Sequence, residues 1–155
     1  MILSRFGGGL SALLLLSAFS AATAGDLVAT TEDGTEIARL PVPEGAGWCV
    51  LWNHSVQGFP VTDCYENRDG HMVLVRSRQP DFAAGLGHIP GRGRQVSDGE
   101  GGYWILDIDE PVPGDAYVLR PGAGPVDHRL QVGDTVVSLS EAAARQRVRI
   151  ALTGE

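Results

Sequence analysis

The stretch Trp48-Cys49-Val50-Leu51-Trp52-Asn53-His54-Ser55-Val56 decides the fold class, because its side chains sort cleanly only at a period of two. In an extended chain Trp48, Val50, Trp52, His54 and Val56 share one face, while Cys49, Leu51, Asn53 and Ser55 share the other. The segment therefore reads as a strand whose first face is apolar and turned inward. His54 and Ser55 point to opposite sides of it, so their adjacency does not make a nucleophile and base.

Outward from this strand the same pattern repeats. Leu27 to Thr31 and Thr35 to Leu40 flank Asp33-Gly34, and Val61 to Asn67 and His71 to Ser77 flank Asp69-Gly70; both are hairpin signals, since glycine relieves the positive φ of a tight turn. Tyr103 to Asp109, Ala116 to Arg120, Asp127 to Val132, Thr135 to Leu139 and Val148 to Leu152 bring the expectation to about ten short strands. Only Ser140 to Gln146, with Ser140 as N-cap, predicts a helix, and a short one. Connections this tight exclude a parallel sheet, which needs long crossovers. The chain is expected to be all-β: one domain over residues 25–155, an antiparallel β-sandwich or a closed barrel, with one short helix near the C-terminus.

The 155 residues carry a formal charge of -7, and lysine is absent. A phosphate-loop lysine, a Schiff base and a lysine general base are thereby excluded, and the acidic balance argues against nucleic acid as a partner. At the N-terminus Arg5 precedes an apolar run from Leu10 to Phe19 that closes on Ala22-Thr23-Ala24. This pattern predicts a cleaved signal peptide over residues 1–24 and a periplasmic destination. In an oxidising compartment two cysteines, Cys49 and Cys64, read as a disulfide.

The hairpin that follows admits two registers. If Gln57-Gly58-Phe59-Pro60 is the turn, His54 lies opposite Asp63 and Trp52 opposite Tyr65, which buries a His54–Asp63 pair among aromatics. A bridge between directly opposed cysteines needs a tighter register, with Cys49 opposite Cys64 and His54 opposite Phe59. Both keep the same faces, so alternation does not choose between them. One connection is long: Gln79 to Gly102 is rich in glycine and carries His88, Arg92 and Arg94, a candidate anion-binding loop in which the guanidinium forks hold a carboxylate or pair with Asp98 and Glu100. No two histidines are three or four residues apart and no Cys-x-x-Cys occurs, so neither a metal nor a cofactor is expected, and no residue is assigned a catalytic role.

The order His54-Ser55-Val56, Pro60-Val61, an acid at Asp63 and an aromatic at Tyr65 resembles the hallmark of a bacterial family, domain of unknown function 1850. The similarity extends to the Ala83 to Gly87 segment and to His128-Arg129-Leu130 followed by Gly133. The resemblance implies a small exported β-rich protein, of the kind commonly encoded beside the membrane subunit of TAXI-type tripartite ATP-independent periplasmic transporters. The expected function is thus a non-enzymatic binding or accessory domain, with the transporter's membrane subunit or a small anionic solute as partner. Two alternatives stand beside it: a metal-dependent or hydrolytic enzyme using His54, Asp63, His88 and His128, and a purely structural partner protein.

If the leader is cleaved after Ala24, mass spectrometry of the periplasmic fraction should find a chain beginning at Gly25. Recovery of intact Met1 to Ala24 in the membrane fraction would remove this expectation.

Overall fold

The computed structural model of the chain describes residues 25–80 and 91–154. Among them the strands, in chain order, are β1 (Gly25–Thr31), β2 (Glu36–Pro41), β3 (Gly47–Asn53), β4 (Pro60–Arg68), β5 (His71–Pro80) and β6 (Arg94–Ser97). They continue with β7 (Gly102–Leu106), β8 (Glu110–Pro111), β9 (Ala116–Leu119), β10 (Arg129–Val132), β11 (Thr135–Ser138) and β12 (Val148–Gly154), and one helix, α1 (Leu139–Ala143), sits between the last two. The smaller sheet runs β2-β1-β12-β9 and the larger β11-β10-β3-β4-β5-β7-β6, with β8 pairing onto β5. All the pairings are antiparallel.

The two sheets share one core. Leu27 and Ala29 of β1 and Ile150 and Leu152 of β12 meet Trp48 and Val50 of β3, Met72 of β5 and Leu130 of β10. Each comes from the apolar half of an alternating strand, which burial against the facing sheet stabilises. Among the described residues both sheets keep free edges, β2 and β9 in one and β11 and β6 in the other. The architecture is therefore the sandwich, and the closed barrel is set aside.

Local chemistry explains the turns. Asp69 and Gly70 both take positive φ, 53° and 81°, the geometry of a two-residue hairpin loop. Buried Asn67 anchors that loop, accepting from the Gly70 N–H at 3.0 Å and donating to the Val42 carbonyl at 2.8 Å. Helix α1 begins two residues earlier than expected. Its N-cap is Ser138, whose hydroxyl accepts from the Glu141 N–H at 3.1 Å, while Leu139 and Ala143 reach the core. Ser140, the expected cap, is held elsewhere: its hydroxyl donates to the Gly122 carbonyl and accepts from the His128 N–H.

Two strand expectations are corrected. The strand expected to reach Val56 stops at Asn53, and Val56 is 84% exposed in the turn that follows. The long connection Gln79 to Gly102 is not all loop, because β5 runs to Pro80 and β6 pairs with β7. Its turn is built on Asp98, which accepts from the N–H groups of Glu100 and Gly102 and is gripped by Arg78.

Between β3 and β4 Cys49 stands directly opposite Cys64, and the two are joined. The tighter of the two hairpin registers is the one adopted. The bridge closes a short loop and should contribute about 3 kcal/mol by restricting the unfolded chain. The double substitution Cys49→Ser, Cys64→Ser should lower the unfolding free energy in urea by that order, and thiol titration of the unfolded, unreduced protein should find no reactive sulfur.

Candidate functional site

The adopted register sets what faces the interior. Trp48 lies across from Tyr65, Val50 across from Asp63 and Trp52 across from Val61. Asp63 therefore does not oppose His54, and the expected His54–Asp63 pair is not formed. His54 instead organises the turn. Its N–H donates to the Phe59 carbonyl at 2.8 Å, its Nδ1 accepts from the Val56 and Gln57 N–H groups, and its ring stacks on Phe59.

Asp63 finds a different partner on the other side. A bulge in β5 shifts the β4–β5 register between Cys64 and Tyr65, so that Ser77 comes opposite Asp63. The Ser77 hydroxyl, on a residue only 1% exposed, donates to Asp63 Oδ1 at 2.5 Å, and Gln79 Nε2 donates to Ser77. Burial pushes the Asp63 carboxyl above its ordinary range; the Ser77 bond and the more distant charge of Arg92 oppose this without cancelling it. Arg92 is already engaged, since Glu110 holds its guanidinium through both oxygens at 2.7 and 2.9 Å.

Around Asp63 the interior is aromatic. Trp48, Tyr65 and Tyr117 form a continuous stack, with ring centres 5.6 and 5.2 Å apart. Trp52 stacks on His128 at 5.7 Å with the rings nearly parallel. Tyr117 arrives from the smaller sheet, where β9 pairs with β12. Its hydroxyl is buried and has no well-formed hydrogen bond among the described residues, although Trp48 Nε1 and the Tyr65 hydroxyl lie beside it. Burial raises the titration of both tyrosines, so both stay neutral.

His128 is fixed by a closed set of bonds. The Gly122 N–H donates to its Nδ1 at 3.1 Å, and its own N–H donates to Ser140 at 2.7 Å. With Nδ1 accepting, the proton of the neutral ring sits on Nε2. Burial holds the imidazole below its usual value, with Asp127 opposing, so the neutral form is favoured.

These side chains line one pocket of about 180 Å³, formed by Val50, Trp52, Asp63, Tyr65, Tyr117, Leu119 and His128. Asp63 is the charged group in that lining, an acceptor; His128 supplies a donor. A wider and more open hollow of about 710 Å³ lies over the outer face of β3, β4 and β5, with Leu51, Val75, Trp104 and Leu106. Its acids are already matched, Glu66 with Arg68 and Asp107 with Arg94.

The remaining candidate residues are dispersed. Arg92 and Arg94 pair with Glu110 and Asp107 rather than with Asp98 and Glu100, which belong to Arg78. His88 lies outside the described residues, as do the expected leader and the Ala83 to Gly87 segment. Of the set His54, Asp63, His88 and His128, the structure brings together Asp63 and His128 in one lining. Among the described residues no three His, Cys, Asp or Glu side chains gather as a metal site would require. No helix among them is long and apolar enough to cross a membrane.

Tyr117 and Ser77 went unremarked as site residues in the sequence. Tyr117 has a visible signal, alternating with exposed Val118, but nothing local says which sheet it faces. Ser77 owes its place to the bulge, since an unbroken two-residue hairpin would set it opposite Thr62.

A family model described as domain of unknown function (DUF1850) matches residues 49–139. That span runs from β3 to the start of α1 and contains the whole pocket lining. No curated protein and no solved structure matches the chain.

Two measurements follow from this geometry. His54 sits opposite Phe59, four residues from Asp63, or about 13 Å along a strand. His54→Ala and Asp63→Ala should therefore be additive in stability to within about 0.5 kcal/mol; a strong coupling energy would restore the pair. Because the folded protein binds the Asp63 proton more tightly than the unfolded chain, this group's contribution is full below the unfolded carboxyl value and declines as pH rises through the folded one. The stability difference between the native protein and Asp63→Asn should accordingly shift against the native protein as pH rises from below the ordinary carboxyl value through the raised folded one. A difference moving the other way would show Asp63 to be stabilised as a carboxylate.

Proposed function

The chain belongs to the domain of unknown function 1850 family, and from that premise we propose that it is an exported, non-enzymatic binding module serving solute uptake beside the membrane subunit of a TAXI-type transporter. The observation that carries the binding half of this reading is the pocket at Asp63, where a desolvated carboxylate and an imidazole N–H meet aromatic walls between two sheets. Small sites of recognition are built this way, mostly apolar with few placed polar groups. The loop arginines make a weaker candidate, because each already faces a carboxylate. For export, the support is the apolar run closing on Ala22-Thr23-Ala24 together with the Cys49–Cys64 bridge. For the transporter, it is the resemblance of the His54 to Tyr65 segment to proteins encoded beside such permeases.

Solute uptake by the accompanying transporter should fall several-fold in cells lacking the protein. Cells producing Tyr117→Ala at the normal periplasmic level should show the same defect. Full uptake in the deletion strain would remove the transporter from this reading. Full uptake with Tyr117→Ala alone would move the site away from the pocket.

A further inference from the structure

Resting on the reading of the pocket as a binding site, we propose that its occupant presents an organic cation, a primary ammonium or a guanidinium, to the Asp63 carboxylate. The polar inventory of the lining is lopsided. Asp63 is its one charged side chain, and among the described residues the carboxylate receives a single hydrogen bond, from Ser77 to Oδ1. The cation that acts on it from within the chain, Arg92, is spent on both oxygens of Glu110. A carboxylate drawn out of water with so little compensation costs free energy, and a hydrogen-bonding cation is the partner that recovers it.

The rest of the lining agrees with that chemistry. The Tyr117 hydroxyl is buried beside Trp48 Nε1 and the Tyr65 hydroxyl without a well-formed bond to either, and its oxygen has a second lone pair to accept an N–H. Trp52, Tyr65 and Tyr117 line the pocket, and aromatic rings attract cations. His128 brings a donor rather than an acceptor, so the head group belongs at Asp63 and not at the imidazole. An anion would meet the Asp63 charge without a countercharge in the lining. The volume, about 180 Å³, is below the usual range for whole drug-sized ligands and suits a charged head on a few carbons. Such a group is carried equally by a small free amine and by a lysine or arginine side chain of a partner protein.

The test uses four probes of one size, n-butylammonium, n-butylguanidinium, butyrate and 1-butanol, titrated into the exported protein and followed by tryptophan fluorescence and amide chemical shifts. One of the two cations should saturate, and Asp63→Asn should weaken it roughly ten- to hundredfold, the worth of a charge-assisted hydrogen bond. Tyr117→Phe, which keeps the ring, should cost a smaller factor and serves if the Asp63 variant fails to fold. Backbone-capped lysine binding at least tenfold tighter than butylammonium would assign the cation to a partner protein, and equal or weaker binding would assign it to a free solute. Butyrate or butanol saturating while the cations do not would overturn the cation and leave the binding site standing. Cation binding indifferent to both substitutions would overturn it too, and if no probe binds, the reading of the pocket falls as well.

Discussion

A single covalent link across the middle of the larger sheet governs the arrangement of everything described above. Cys49 and Cys64 face each other on β3 and β4, and once they are joined the two strands cannot slide. The alternative pairing would be offset by two residues on each strand, which preserves every inward and outward assignment. Hydrophobic burial alone discriminates poorly between two such registers, because the same side chains reach the same core in each. The bridge, worth about 3 kcal/mol in the chain-entropy account, is specific to one of them. With it in place Trp48 stacks on Tyr65 and Asp63 lies across from Val50.

The second constraint is the bulge in β5. It breaks the regular pairing at Tyr65 and Leu74, so that beyond it Cys64 pairs with Arg76 and Asp63 with Ser77. The displaced residue is Val75, whose carbonyl is taken up by the Ile108 N–H at 3.1 Å. An inward carboxylate thereby gains a hydroxyl in place of an arginine. Bulges re-aim side chains near functional positions, and here the result is an acid that is held in place and left short of positive charge. That combination is poor for stability, and local consistency is sacrificed at this position.

Elsewhere the charges are matched. Arg78 grips Asp98 in the β6–β7 turn, Arg92 is clamped by Glu110, and Arg94 reaches Asp107. Arg78 and Asp98 are largely buried, so their bond ties down a glycine-rich turn that has little apolar surface of its own; the exposed Arg94 pair contributes little. A cluster that looks like an anion site in one dimension is therefore mostly the internal stitching of a strand pair.

The sequence alone determined the class of structure and, within the strands, the side on which most residues fall. Alternation from Trp48 to Trp52, the Asp-Gly turns at 33–34 and 69–70 and the short connections all report local backbone preference, and local preference survives into the fold. The cysteine pair was legible for a similar reason, since compartment and residue count limit the chemistry. Register was not legible, because it depends on which of two equally buried pairings closes the bridge. Nor was the meeting of Asp63 and Ser77, which requires a one-residue bulge with no marker at Val75. His54 stood out as a site residue and proved to be the keeper of a turn, because a strand pattern does not announce where its strand ends. Tyr117 and His128 reach the pocket from segments more than fifty residues beyond Asp63. Only the packing of one sheet on the other brings them there, since side-chain period is a property of a strand and a pocket is a property of the space between sheets.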